Sequence, residues 1–259
     1  MRIALGIEYD GTDFCGWQIQ HGVRTVQECV EQAVSKVADH PVQVVCAGRT
    51  DTGVHAAEQV VHFDTEAVRS ERSWVLGSNV NLDKDVSVLW ARPVDDDFHA
   101  RFSATARRYR YVIHNRWVRS SIYRNRAVWY HPPLDVERMA EGARYLLGEH
   151  DFSTFRAVAC QAKHPVRTIH DLDVSRRGEL VIIDVHANAF LHHMVRNIAG
   201  VLMAIGCGDR EPEWVVELLE ARDRTVGGVT APPQGLYLVG VTYPERFGLP
   251  SLGTLPFDG

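Results

Sequence analysis

No apolar run in this chain of 259 residues approaches the roughly 18 that a membrane-spanning helix requires. The N-terminus has no signal-peptide design either, because Met1-Arg2-Ile3-Ala4-Leu5 enters an alternating pattern at once. A cytoplasmic location with no membrane partner is therefore expected. Cysteine is scarce. Cys15, Cys29, Cys46, Cys160 and Cys207 are scattered, odd in number and never spaced as C-x-x-C, which argues against a disulfide framework and a zinc site. Other metal signatures are also missing. There is no H-E-x-x-H, and the adjacent His192 and His193 would point in different directions from a helix. No metal is expected. The composition, 45% hydrophobic and 24% charged, is that of a soluble globular protein. The length suits one large domain or two of roughly 100–150 residues.

A further absence is local. Residues 98–134 contain no Asp, Glu or Lys, yet carry eight arginines: Arg101, Arg107, Arg108, Arg110, Arg116, Arg119, Arg124 and Arg126. The net charge of −5 thus conceals a division, with −8 on residues 1–97, +8 on 98–134 and −5 on 135–259. Arginine presents a planar fork that binds phosphate oxygens bidentately and stacks on bases, which lysine does less well. Tyr109, Tyr111, Trp117, Tyr123, Trp129 and Tyr130 lie among these arginines. Cations interleaved with aromatics suit a surface that tracks phosphates and stacks bases. The plain alternative is a solvated face that neutralises acidic flanks.

Periodicity places the elements. Arg2 to Tyr9 alternates as a strand, and Thr25 with Glu28 has the form of a capping box. Behind it Val26, Cys29, Val30, Ala33, Val34 and Val37 form one apolar helical face. Strands are expected at 42–47, 59–63, 86–94 and 105–114. A second set follows. Asp135 caps a helix running to about Leu147, where Gly148 supplies the stop. Strands at 168–175 and 180–187, helices at 190–205 and 213–221, and a strand at 235–243 complete it. Each half mixes strands and helices, so the expected class is α+β with two related lobes.

One loop stands out for chemistry. Cys46 to Ala56 joins two short apolar strands, and Gly48 and Gly53 permit a sharp, close-packed course. Asp51 is its only acid, with Arg49 two positions away. A nearby cation keeps a carboxylate ionised, as a carboxylate nucleophile requires. An ordinary turn, with Asp51 bonding local amides, reads the same residues without chemistry. A phosphate-cradling loop fits poorly, since there is no G-x-x-x-x-G-K.

Gly48-Arg49-Thr50-Asp51-x-Gly53-Val54-His55-Ala56 resembles the signature loop of the TruA family of tRNA pseudouridine synthases. Tyr9-Asp10-Gly11-Thr12-x-Phe14-x-Gly16-Trp17-Gln18-x-Gln20 is similar to that family's opening segment. Asp97-Phe98-His99-Ala100-Arg101-Phe102-Ser103-Ala104 resembles its middle motif, followed by Arg108-Tyr109-Arg110-Tyr111. Asp151 to Phe155, Phe190 to Asn197 and Gly235 to Leu238 continue the match in family order. Thr52 and Cys15 depart mildly from the usual alanine and larger residue. The resemblance implies the pseudouridine synthase fold, two α+β lobes with mixed or antiparallel sheets meeting at a central cleft. We divide them at 1–104, carrying the catalytic loop, and 105–259.

The resemblance also implies the chemistry: Asp51 is the catalytic nucleophile and Arg49 its loop partner. Arg196 would pair with the Asp51 carboxylate, and Tyr109 would stack on the target uracil, with Leu236 beside the substrate. Phe98, His99, Ala100, Arg101 and Phe102 would touch RNA, together with Ala159, Cys160, Gln161, Ala162 and Lys163. The arginine census adds Arg107, Arg108 and Arg110 to that set. The implied substrate is uridine at positions 38, 39 and 40 in the anticodon arm of tRNA, flipped from its stack. The implied enzyme is a homodimer, and an intramolecular isomerisation calls for no cofactor. Three alternatives use the same residues differently: a non-catalytic RNA-binding module, a metal-dependent hydrolase built on Asp51 and His55, and a pseudouridine synthase acting on other tRNA sites or another RNA.

Overall fold

The computed structural model describes residues 1–157, 160, 162–250 and 256–258. The elements run in the order β1 (Arg2–Tyr9), α1 (Val26–Ala38), β2 (Val45–Cys46), β3 (His55–Asp64), α2 (Glu71–Asn81), β4 (Val86–Val94) and β5 (Ala106–Asn115). They continue with β6 (Val128–Tyr130), α3 (Val136–Arg144), β7 (Gly148–Asp151), β8 (Val166–Arg177), β9 (Leu180–Ala187), α4 (Met194–Gly206), α5 (Trp214–Ala221) and β10 (Leu236–Thr242). Two compact units divide the chain. Residues 1–106 with 237–259 form the first, and 107–236 the second. No helix among the described residues is long and apolar enough to cross a membrane.

In the first unit the strands run β4-β1-β3-β10, with β2 also on β3. Strand β1 is antiparallel to both neighbours, while β10 lies parallel to β3 through Tyr237–His55 and Leu238–Ala56. The alternation that marks β1 as a strand is one of size. Ile3, Leu5, Ile7 and Tyr9 fill one face, and Ala4 and Gly6 occupy the other. Small residues there let large ones cover them. Ala4 packs with Phe98, Ala100 and Phe247, and a Cβ on Gly6 would sit 2.1 Å from the Trp90 indole nitrogen. Both faces are therefore buried, which the period alone does not reveal.

Helix α1 forms where the apolar face places it, burying Val26, Val30, Ala33, Val34 and Ala38. Its capping box does not form. The Thr25 side chain makes no cap bond, and its hydroxyl is buried without a hydrogen-bond partner. Helix α2 is an addition to the elements read from the sequence. It packs on α1 through Gly77, where a Cβ would lie 2.9 Å from Val37 Cγ2. The last strand also departs from the expected division at residue 104. Residues from 237 onward belong with the first unit, because β10 pairs with β3 and Tyr243 and Phe247 pack on Phe98.

The second unit has the order β5-β9-β8-β7, all antiparallel, with the short β6 parallel to β5. Asp135 caps α3, its carboxylate accepting from the amides of Glu137 and Arg138. The helix closes at Arg144, three residues before the expected end, and Gly148 at φ +89° opens β7 instead. Helix α4 starts at Met194, later than the apolar pattern suggests, behind His193 at φ +62°.

The most consequential contact in this sheet joins adjacent strands. Arg110 on β5 faces Asp184 on β9 in direct register. Their bidentate bonds measure 2.9 Å from Nε to Oδ1 and 2.7 Å from Nη2 to Oδ2. Arg110 is only 2% exposed. Removing one partner of a buried ion pair is strongly destabilising, because the other keeps its desolvation cost and loses these bonds. Replacing Asp184 with alanine is expected to cost about 3 kcal/mol in urea unfolding, and the joint change Arg110→Met with Asp184→Leu to recover most of it. A single-variant loss below about 1 kcal/mol would show that water reaches the pair.

Candidate active site

The Asp51 loop is held from outside as well as by its own turn. At its start, the buried Gln59 side chain on β3 donates to the Gly48 carbonyl at 2.5 Å and accepts from the Gly48 amide at 3.3 Å. One residue before Asp51, the Thr50 hydroxyl meets the Tyr9 hydroxyl at 2.7 Å in a buried contact. The Thr50 carbonyl accepts from the Trp17 amide at 3.0 Å. After Asp51 the chain turns tightly, with the Val54 amide donating to the Asp51 carbonyl at 3.1 Å. Gly53, third in that turn, has φ +76°, the value that a type II turn reserves for glycine.

The opening segment explains its own glycines. Gly16 sits at φ +82°, and a Cβ on it would lie 2.7 Å from the Thr50 carbonyl oxygen. A Cβ on Gly11 would lie 2.0 Å from the Val54 carbonyl oxygen. The two backbones on either side of Asp51 are thus pressed against residues 11–16 with no room for a side chain. Asp10 caps the first turn, accepting from the Thr12 amide and hydroxyl at 3.1 and 2.6 Å. Behind the loop, buried His55 accepts the Gly11 amide on Nδ1 at 3.0 Å and stacks on Tyr237 at 4.6 Å. These supports leave Asp51 half-buried at the loop tip. A carboxylate so placed can add to an electrophilic carbon or remove a proton. Arg49 is exposed and makes no hydrogen bond or ion pair among the described residues, so it is not a close partner of Asp51 as expected.

Burial sorts the 98–102 stretch. Phe98 and Ala100 are fully buried in the first unit's core, which corrects their expected place on an RNA-facing surface. His62 accepts the Ala100 amide at 3.1 Å, and burial lowers its pKa to about 4, so it stays neutral and able to accept. His99 Nδ1 accepts from the Arg101 and Phe102 amides, each at 3.2 Å. What projects is Phe102, 75% exposed with its ring 4.3 Å from that of His99, and Arg101 beside it at 5.5 Å.

In the second unit, Tyr109 lies on β5 with its ring 5.0 Å from Phe190 in an edge contact. Arg110 points inward to Asp184, which corrects its expected role as an RNA contact, and Leu236 is buried. Arg107 donates to the Asn188 carbonyl at 3.1 Å, while Arg108 lies 4.0 Å from Asp171. Arg196, in the first turn of α4, is half-buried, and its Nε donates to the Ala231 carbonyl at 2.7 Å. The Ala231 amide returns a bond to the Arg196 carbonyl. The neighbouring Asn197 joins Phe155 to Thr230 and Arg224, so much of the 190–197 motif is a brace for the helix start. Cys160 and Ala162 are half-buried and Lys163 is exposed, while Ala159 and Gln161 lie outside the described residues. The bracing residues Tyr9, Trp17 and Gln59 carried no sequence signal of their role beyond the motif match, since their partners are distant in the chain.

A family model described as "tRNA pseudouridine synthase" matches residues 6–103 and 143–244. The tRNA pseudouridine synthase A of Methylococcus capsulatus is 65% identical over 249 residues, covering 96% of this chain and 92% of that one. Its namesake in Nitrosococcus oceani is 63% identical over 252 residues, 97% of each chain. That of Coxiella burnetii is 57% identical over 256 residues, 99% of this chain and 98% of the other.

Two glycines with similar φ separate strain from crowding. A Cβ on Gly22, at φ +77°, would have nothing within 4 Å, whereas one on Gly16 would meet Thr50. Gly22→Ala is expected to cost about 1 kcal/mol in urea unfolding, the left-handed strain alone. Gly16→Ala is expected to cost clearly more, because the loop must also retreat. Equal costs would mean that the loop yields freely.

Proposed function

The chain belongs to the tRNA pseudouridine synthase family and is an isomerase that converts uridine in tRNA to pseudouridine; from that premise we propose that it acts at positions 38, 39 and 40 of the anticodon stem-loop, with Asp51 as nucleophile. The observation that carries the assignment to Asp51 is the bracing of its loop, by Gln59 at Gly48 and by Tyr9 and Trp17 at Thr50. A reacting group held by rigid neighbours loses little freedom on the way to the transition state.

The chemistry is an internal transfer. The bond from uracil N1 to C1′ breaks, the base turns, and C5 joins C1′. The proton on C5 leaves and N1 ends protonated, so atoms and electrons balance without a redox partner. Asp51 enters at the first stage through one of three routes: attack at C1′, addition at C6, or proton removal from the 2′ carbon to give a glycal. All three need an ionised carboxylate at an extruded nucleotide. In this reading Tyr109 stacks on the target uracil and offsets part of the unstacking cost, which is about a few kcal/mol. Its edge contact with Phe190 supports that role by fixing the ring plane. Arg196 pairs with the Asp51 carboxylate, and the bond from its Nε to Ala231 orients the fork for that task. His99, Arg101, Phe102, Arg107, Arg108, Cys160, Ala162 and Lys163 serve the RNA, and the enzyme works as a cytoplasmic homodimer.

Tritium release from tRNA labelled at uridine C5 tests the assignment. Asp51→Asn is expected to abolish release while leaving tRNA affinity within about tenfold, because phosphate contacts dominate binding. Parallel loss of both would make the loop a structural element of RNA binding. Mapping the modified sites by primer extension would contradict the positional proposal if they fall outside 38–40. Tyr109→Ala is expected to lower turnover far more than affinity, and near-normal turnover would remove its stacking role.

A further inference from the structure

The eight arginines of residues 98–134 do not share one fate. Arg110 is buried against Asp184, Arg116 is bound to Glu179 at 3.1 Å, Arg107 to a carbonyl, and Arg108 sits near Asp171. Arg119 and Arg124 differ. Both are exposed, and neither side chain makes a hydrogen bond or ion pair among the described residues. They stand in the loop between β5 and β6, where Trp117 is 82% exposed and Ile122 86%.

This loop has a built shape. The Arg116 guanidinium donates to the Val118 carbonyl at 2.7 Å, and the Trp129 indole donates to the Arg116 carbonyl at 3.0 Å. The Ser120 hydroxyl accepts the Tyr123 amide at 3.1 Å. Glu179, a carboxylate at its base, is already engaged by Arg116 and His114. Two uncompensated guanidiniums and an exposed indole on a shaped loop that contains no acid are complementary to a polyanion with flat faces.

We propose that residues 116–126 form a second RNA-docking surface, in which Arg119 and Arg124 hold tRNA phosphates and Trp117 stacks on a base or sugar away from the target. The proposal rests on the reading of Tyr109 as the residue beneath the target uracil. From Tyr109 to the end of β5 at Asn115 is six residues, about 20 Å at the rise of an extended strand. The loop therefore meets a part of the tRNA other than the flipped nucleotide. It contributes to capture of substrate and leaves the chemical step alone.

The test compares full-length tRNA binding and C5 tritium release for three variants: Arg119→Ala with Arg124→Ala, Trp117→Ala alone, and Arg72→Ala with Arg144→Ala. The last pair removes the same charge from exposed positions on α2 and α3. The arginine pair in the loop is expected to weaken tRNA binding about tenfold and to reduce the slope of log affinity against log salt by about 1.5. Trp117→Ala is expected to weaken binding about fivefold. The rate at saturating tRNA should stay within twofold for both. Unchanged affinity and slope, or equal effects from the control pair, would overturn the proposal. So would sedimentation showing that the loop variants alter self-association while tRNA affinity per protomer holds, since the surface then faces a second copy. Absence of tritium release from the unsubstituted enzyme would instead count against the Asp51 reading, and the affinity measurements would still decide the surface.

Discussion

The close approach of two backbones, Gly16 onto Thr50 and Gly11 onto Val54, is the constraint on which the placement of Asp51 depends. The loop between β2 and β3 would ordinarily sample many shapes, since each unfixed residue keeps about 1–2 kcal/mol of backbone entropy at room temperature. Here that freedom is removed by contacts from two directions. The opening segment presses on the carbonyls of Thr50 and Val54, and β3 returns Gln59 to grip Gly48. Only glycine allows the first of these, because any Cβ would overlap the carbonyl it must approach. The opening motif therefore bears on the position of Asp51, as the other half of the mould in which the loop is cast.

The second unit applies the same logic with charge. Tyr109 and Arg110 are consecutive on β5 and so point to opposite faces. The tyrosine turns to Phe190, the arginine to Asp184 across the strand pair. A bidentate pair in direct register resists slippage of β5 on β9, because a one-residue shift would break both of its bonds and turn each side chain to the other face. The position of the Tyr109 ring thus rests on a charge pair on the sheet's other side. Arg196 is held in like manner, by Ala231 on its Nε and by the Asn197 brace one residue on. In each unit, residues that resemble family motifs divide into a few that face outward and several that hold them.

That division sets how much was legible in the sequence. Strands β1, β5, β8 and β9 and the helices α1, α3 and α4 were readable, since each pairs a clear period with a continuous buried face. Helix α2 was not. It buries only Trp74 and Ser78, exposes Leu76 and Val80, and carries Gly77 for its contact with α1, so its apolar signal is thin. The share of β10 in the first unit was also hidden, because a parallel pairing with β3 joins residues about 180 apart and leaves no local trace. Asp51 stood out as the loop's one acid. The inward turn of Phe98, Ala100 and Arg110 did not, for different reasons. Residues 98–102 have no period, and Arg110 is a charge on a strand face whose partner, Asp184, lies across the sheet and far along the chain.

The same sorting resolves the apparent conflict between a net charge of −5 and an RNA substrate. At physiological ionic strength a charge is felt over about 8 Å, so the sum over the chain matters less than what lies within that radius of a phosphate. Arginines already paired with carboxylates present little field there. Arg119 and Arg124 present nearly all of theirs, and so contribute more to capture than a count of eight would suggest. An acidic remainder has a use of its own. It repels polyanions elsewhere on the surface, which narrows the orientations in which an RNA can settle and so favours productive encounter over diffuse adhesion. Selectivity for one RNA pose then comes from the contrast between two uncompensated guanidiniums and a chain that is acidic in sum, rather than from a basic protein as a whole.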